Sequence, residues 1–151
     1  MSMPFIHPDR RMNGGGGLNE FIDELPELAR AGIGAVASLL NIPSDAKLYA
    51  DAGFDFICLP VADGQPPRLE QVLEFIAFVD NRKQDRGVAV HCEAGCGRTG
   101  TMLCAYLIAK GEAPPSALNR VRTIEPSAVE TQRQVGFLLE LPDLLQGSKF
   151  G

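Results

Sequence analysis

A cysteine and an arginine six positions apart, Cys92 and Arg98, stand in the ten-residue run His91-Cys92-Glu93-Ala94-Gly95-Cys96-Gly97-Arg98-Thr99-Gly100. The apolar run before it, Gly87 to Val90, reads as a buried strand. The stretch after it, Thr101 to Ala109, is apolar almost all round and reads as a buried helix. A thiol and a guanidinium therefore share one tight turn between a core strand and the first turn of a core helix. Such a turn aims several backbone N–H groups into one concavity, which binds an anion with help from the helix dipole. Gly95, Gly97 and Gly100 are read as positions where the backbone takes positive φ and approaches the anion closely. Arg98 supplies a planar, permanently charged fork matched to two phosphate oxygens. Thiols at helix N-termini beside cations are favoured as thiolates, the nucleophilic form. The chemistry expected is a phosphate cradled by the Glu93, Ala94, Gly95, Cys96, Gly97 and Arg98 segment, with Cys92 attacking phosphorus.

Other readings of the same residues fit less well. Gly95-x-Gly97-x-x-Gly100 satisfies a dinucleotide fingerprint, but that motif needs a second parallel strand ending in an acidic residue about 20 residues on. Here Gly111-Glu112-Ala113-Pro114-Pro115 and more helical pattern follow. A Walker loop needs Gly-Lys-Ser/Thr, and Thr101 follows Gly100 directly. Cys92-x-x-x-Cys96 has zinc-like spacing without a second matching pair, so no metal is expected. An inert core cysteine is the common fate of a Cys, yet it leaves Arg98 and three glycines unaccounted for.

Breaking a phosphate ester also needs a proton for the leaving oxygen, from an acid on a separate segment above the loop. Asp63, in Leu59-Pro60-Val61-Ala62-Asp63-Gly64-Gln65-Pro66-Pro67, is the candidate. It follows the strand-like run Phe54 to Leu59 and precedes a helix opening with prolines. The plain alternative is an Asp that only caps a turn before Gly64.

The run from His91 to Gly100 resembles the signature of the cysteine-dependent protein tyrosine phosphatase superfamily. Thr99-Gly100-Thr101-Met102 and the stretch from Ile124-Glu125-Pro126 to Gln134 resemble its small dual-specificity branch. The resemblance extends from about Gly32 to the C-terminus. It implies a phosphocysteine intermediate on Cys92, Arg98 as phosphate anchor, and Asp63 as general acid and then base, since the separation of Asp63 and Cys92 is like that of acid and nucleophile in the family. It implies that the Thr99 hydroxyl bonds the nucleophile's sulfur, that His91 orders the loop from below, and that Gln134 positions the attacking water. A helix N-terminal Thr serves equally as a cap. Ser127-x-x-Glu130 reads as a capping box, a structural role for Glu130.

The elements that must position these groups alternate. Phe21 to Ala31 is helix-like, Ile33 to Leu40 a strand, Ser44 to Ala52 a short helix capped by Ser44, and Phe54 to Leu59 a strand. Leu69, Val72, Leu73, Ile76 and Val79 form a helical stripe, Val88 to His91 the central strand, and 98–110, 115–124 and 128–144 helices. This alternation argues an α/β fold. A central, partly parallel sheet of about four to five strands flanked by helices, protein tyrosine phosphatase-like, is expected. The 151 residues suit one domain, 21–151, after a flexible segment at 1–20 that holds Gly14 to Gly17. No apolar stretch is long enough to span a membrane, and the start lacks a secretory h-region.

Four cysteines without a disulfide framework point to a reducing, cytoplasmic setting. Cys58 and Cys96 raise the question of a protective disulfide with Cys92. A net charge of −5 gives no basic field for nucleic acid or an anionic membrane. Glu93 and Cys96 occupy positions where phosphoinositide-directed relatives often carry lysines, and a glutamate at the mouth repels a second phosphate. The expected partner is a phosphoprotein or phosphopeptide bearing phosphotyrosine, with phosphoserine or phosphothreonine admitted by a shallow pocket. Phosphate, sulfate or vanadate should also occupy the site, and no cofactor is called for. Two alternatives stand beside this one: a phosphatase of inositol or sugar phosphates, and a phosphoprotein-binding module without turnover.

Overall fold

The computed structural model describes residues 25–82, 86–93 and 97–150, with side chains to 147. The expected flexible segment at 1–20 and its glycine run lie outside the described residues. The first element is helix α1, described over 25–30. Strand β1 (Ile33–Ser38) follows, then a 3-10 turn at Pro43–Asp45 that runs into α2 (Ala46–Asp51). Next come β2 (Asp55–Cys58), α3 (Leu69–Asp80) and β3 (Gly87–His91). Three consecutive helices close the chain: α4 (Gly97–Ala109), α5 (Pro114–Ile124) and α6 (Gln132–Phe150).

The sheet has the order β2-β1-β3, with β1 parallel to both neighbours. Among the described residues it holds three strands and is wholly parallel, fewer than the four to five expected. The higher number follows from the resemblance, whereas only three runs, Ile33 to Leu40, Phe54 to Leu59 and Val88 to His91, carry a strand pattern in this sequence. β1 is such a run, buried from Gly34 through Ser38, and as the middle strand it is covered on both faces.

The main core lies between the sheet and α3, α4, α5 and α6. Val72 and Phe75 of α3, Met102, Cys104, Ala105 and Ile108 of α4, Ala117 and Val121 of α5, and Leu138 and Leu141 of α6 pack with Ala37 and Val90. A second cluster, Leu25, Val36, Tyr49 and Phe54, covers the other face. α4 is the pivot. Its first six residues, Gly97 to Met102, are all buried, as its all-round apolar pattern requires.

Two helix starts differ from the sequence expectation. Ser44 does not cap α2; Pro43, with its fixed φ, opens a 3-10 turn there instead. α6 begins at Gln132, not 128, because Val129 has φ +63, a left-handed conformation that no α-helix contains.

Candidate active site

Cys92 follows directly on the last residue of β3, at the carboxyl end of the parallel sheet where open α/β folds place their ligands. Its side chain is buried, and the Thr99 hydroxyl donates to its sulfur at 3.0 Å. Thr99 sits in the first turn of α4, so the positive end of that thirteen-residue helix begins five positions after the thiol. Thr101 secures the turn by donating to the Gly97 carbonyl at 2.7 Å. His91 is fully buried at the strand end, beneath the loop. Glu93 is exposed on the rim. Ala94, Gly95 and Cys96 lie outside the described residues.

Leu39, just past β1, ties this loop to the next one. Its N–H donates to the His91 carbonyl at 2.9 Å, and its carbonyl accepts from Val61 N–H at 2.9 Å. From Val61 the chain enters the turn that carries Asp63. Gln65 N–H closes the turn on the Ala62 carbonyl at 3.0 Å, and Gly64 takes φ +78. A turn of this kind needs a glycine at its third position. Gln71 of α3 supports the base of the loop by donating to the Pro60 carbonyl at 2.7 Å. Its amide oxygen also accepts from Arg68 N–H at 2.9 Å, closing the start of α3.

Arg98 joins the two loops. Its Nη1 donates to the Val61 carbonyl at 2.9 Å, and its Nε lies 3.8 Å from Asp63 Oδ1. The Arg98 side chain is 9% exposed and that of Asp63 is 88% exposed. The guanidinium is thus fixed in the wall, while the exposed carboxyl stands beside it, paired among the described residues with Arg98 alone. Cys92, Arg98, Thr99 and Asp63 are brought together as the spacing suggested.

The third segment, 125–134, differs from the sequence expectation. Ser127 and Glu130 form no capping box; Ser127 bonds to Glu125. The box lies four residues later. Thr131 Oγ1 accepts from Gln134 N–H at 3.2 Å, and Gln134 Oε1 accepts from Thr131 N–H at 3.0 Å and from Glu130 N–H at 2.8 Å. Gln134 is fully buried, so its carboxamide is occupied by the backbone. Its Nε2 points to the Asp63 loop, 3.4 Å from the Gln65 carbonyl, and Thr131 Oγ1 donates to the Gly64 carbonyl at 2.7 Å. Thr131 had drawn no role, although Thr131-x-x-Gln134 is as legible a box as the one chosen.

Two further contacts set this segment against α4. Glu130 packs on Gly97: a Cβ added there would lie 3.0 Å from Glu130 Cδ. Gly100 meets Ala128 so closely that an added Cβ would lie 2.7 Å from Ala128 Cβ. Neither Gly97 nor Gly100 is among the positive-φ glycines, so both serve close approach and not backbone reversal. Arg122 clamps the segment by donating from Nε and Nη2 to the carbonyls of Ala128 and Val129, each at 2.9 Å. That clamp holds Val129 in its strained conformation, a cost of roughly 1–3 kcal/mol.

The cysteines differ in setting. Burial pushes the Cys104 thiol up to about 11, which marks it as an inert core group. Cys58 ends β2, and β1 separates it from β3 and Cys92. Among the described residues no three His, Cys, Asp or Glu side chains converge on a metal-holding cluster. No described helix is long and apolar enough to cross a membrane.

Comparison with known proteins agrees with this geometry. The family model described as "Polymorphic toxin system, DSP-PTPase phosphatase" matches residues 12–112. The tyrosine-protein phosphatase cdc-14 of Caenorhabditis elegans is 37% identical over 107 residues, which are 70% of this chain and 14% of that protein. The chain thus spans about a seventh of that relative's length. The crystal structure of Tk-PTP in its active form is 34% identical with a TM-score of 0.72, covering 80% of this chain and 85% of that one. PTPMT1 in complex with PI(5)P shares the fold at 20% identity, with a TM-score of 0.74 over 84% and 88% of the two chains. Because the family model takes in more than half of its length, the chain belongs to the DSP-PTPase phosphatases of polymorphic toxin systems, within the cysteine-dependent protein tyrosine phosphatase superfamily.

Proposed function

We propose that this phosphatase hydrolyses phosphate monoesters of protein side chains, phosphotyrosine first and phosphoserine or phosphothreonine with it, through a phosphocysteine. The Cys92 thiolate attacks phosphorus from the side opposite the leaving oxygen. The S–P bond forms, the P–O bond breaks, and Asp63 gives its proton to the departing oxygen. Arg98 and the amides at the start of α4 hold the charge that spreads over the phosphoryl oxygens. Water then attacks phosphorus as the Asp63 carboxylate takes its proton. The S–P bond breaks, phosphate leaves, and the thiolate returns, stabilised by the Thr99 hydroxyl. Gln134 serves this reaction through the loops it ties together.

The observation that supports this reading best is the position of Arg98. It is buried in the wall of the loop that starts at Cys92, and its guanidinium lies 3.8 Å from a freely exposed carboxyl on a second loop. A phosphate held by Arg98 would have the sulfur on one side and the acid within reach of the other.

Glu93 and Glu130, both exposed and the latter against Gly97, favour substrates with a single phosphate over multiply phosphorylated inositols. A mechanism that depends on a free thiol belongs in a reducing compartment such as the cytoplasm.

The test has two arms. Acid quenching during turnover of a radiolabelled phosphopeptide should trap label on Cys92, and Cys92→Ser should abolish both label and turnover. Turnover that survives Cys92→Ser would end the mechanism. A panel of phosphopeptides and inositol phosphates should favour the peptides; faster hydrolysis of inositol phosphates would overturn the substrate class and leave the mechanism standing.

A further inference from the structure

Among the described residues the Asp63 carboxyl makes no hydrogen bond that would aim it; its ion-pair partner Arg98 is 3.8 Å away and its side chain is 88% exposed. Its reach toward a leaving oxygen is therefore set by the backbone on either side of it. The limb before Asp63 is held three times, by Leu39, Gln71 and Arg98 acting on Val61 and Pro60. The limb after it is held chiefly by one short bond, from Thr131 Oγ1 to the Gly64 carbonyl at 2.7 Å. The other two contacts there are longer, Gln134 Nε2 to the Gln65 carbonyl at 3.4 Å and Arg133 Nη1 to Gln65 Oε1 at 3.3 Å.

The hydroxyl of Thr131 has two tasks at once. It accepts from Gln134 N–H as the cap of α6 and donates to Gly64. Its methyl rests on the same glycine, 3.6 Å from where a Cβ would stand. We propose that Thr131 is a positioning residue for the general acid: its hydroxyl latches the exit limb of the acid loop to the start of α6, making that loop a fixed wall of the site. The proposal rests on the assignment of Asp63 as acid given above. A misplacement of about 1 Å in a reacting group costs on the order of 10²-fold in rate, so a single anchor of this kind is large enough to measure.

The experiment compares Thr131→Val and Thr131→Ser on two substrates. Phenyl phosphate needs a proton on its leaving oxygen and dinitrophenyl phosphate does not. Thr131→Val should lower kcat/KM for phenyl phosphate about tenfold and for dinitrophenyl phosphate less than about twofold, as expected when only acid catalysis is impaired. Thr131→Ser, which keeps the hydroxyl, should match the parent protein on both. In an Asp63→Asn background, Thr131→Val should have almost no further effect on phenyl phosphate, since the two residues act as a unit. Equal losses on both substrates, or a full tenfold loss that persists without Asp63, would overturn the latch.

A second readout needs no turnover. The Gln65 amide, bonded to the Ala62 carbonyl at 3.0 Å, should exchange faster in Thr131→Val and normally in Thr131→Ser. Unchanged exchange in Thr131→Val would overturn the latch by itself. Failure to trap label on Cys92 would instead strike the phosphocysteine mechanism, so the two failures are distinguishable.

Discussion

Replacing Gly100 with alanine should weaken both the fold and the reaction, against the preference of an α-helix for alanine. The added Cβ would lie 2.7 Å from Ala128 Cβ, and 3.1 Å from both Ala128 Cα and Val129 N. Carbon atoms pack best at about 3.5–4.0 Å, so the segment must yield by roughly 1 Å. Arg122 opposes that shift through its two bonds to the carbonyls of Ala128 and Val129. Overpacking of this kind costs about 1–3 kcal/mol, against a helix-propensity gain of at most about 1 kcal/mol. A net loss of about 1–2 kcal/mol is expected, a fall in Tm of roughly 3–6 °C for a chain of this size. The displaced residues lead directly into Glu130 and Thr131, so the acid loop should lose its seat. Hydrolysis of phenyl phosphate should then suffer more than that of dinitrophenyl phosphate. Ala128→Gly in the same chain removes the 2.7 Å contact and leaves the two at 3.1 Å, so part of the Tm should return. Differential scanning calorimetry of the single and double variants decides the matter. A Tm for Gly100→Ala equal to or above that of the parent would mean that propensity alone operates and that the close approach is not rigid.

Three other outcomes are expected. Asp63→Ala should slow turnover of substrates with poor leaving groups by on the order of 10²–10⁴-fold; an unchanged rate with phenyl phosphate would remove Asp63 from the mechanism. The Cys104 thiol holds its proton more tightly in the folded state, with its value raised from 9.0 to about 11 by burial. Its contribution to stability is therefore complete below pH 9.0 and is lost as the pH rises toward 11, a decline of roughly 2 kcal/mol. Denaturant unfolding across that window should show a shallower pH slope in Cys104→Ala than in the parent, and identical slopes would contradict the assignment. Mild peroxide should give no disulfide between Cys58 and Cys92. The intervening strand β1 separates them by two strand spacings, about 9–10 Å, beyond the roughly 7 Å that a disulfide spans; a Cys58–Cys92 crosslink in non-reducing peptide maps would show that the sheet edge opens.

That Cys92, Arg98 and Thr99 lie together was legible because they fall within ten consecutive residues between a strand and a helix. The flanking apolar runs set the strand before and the helix after, whereas Gly97 and Gly100, read as turn glycines, admit Glu130 and Ala128 instead. Asp63 was legible for a different reason. It lies on a turn between a strand and a helix, and its reading as an acid in place of a simple cap follows from the resemblance. Strand number was legible in the three strand-like runs, which match the three described strands; the count of four to five came from the resemblance.

What the sequence concealed is the joinery. Two capping boxes, Ser127-x-x-Glu130 and Thr131-x-x-Gln134, are equally well formed as strings, and local pattern does not choose between them. The choice is made at a distance. Gly100 admits Ala128, Arg122 grips the carbonyls of Ala128 and Val129, and Val129 is forced to φ +63, which stops any helix from starting before it. The box therefore forms at Thr131, and only from there do the threonine hydroxyl and the glutamine amide reach Gly64 and Gln65. The same displacement leaves Glu130 on the rim against Gly97, where the sequence had assigned it to a helix cap. Apart from the Arg122 bonds, which span 6 and 7 residues, these contacts join segments about 30 to 70 residues apart, and none leaves a periodic trace. The residues proposed to hold phosphate are written locally, and those that hold them in register are written in the packing of α4 against the loop before α6. Substitutions in the second group should accordingly change which leaving groups the enzyme tolerates before they change whether it binds phosphate at all.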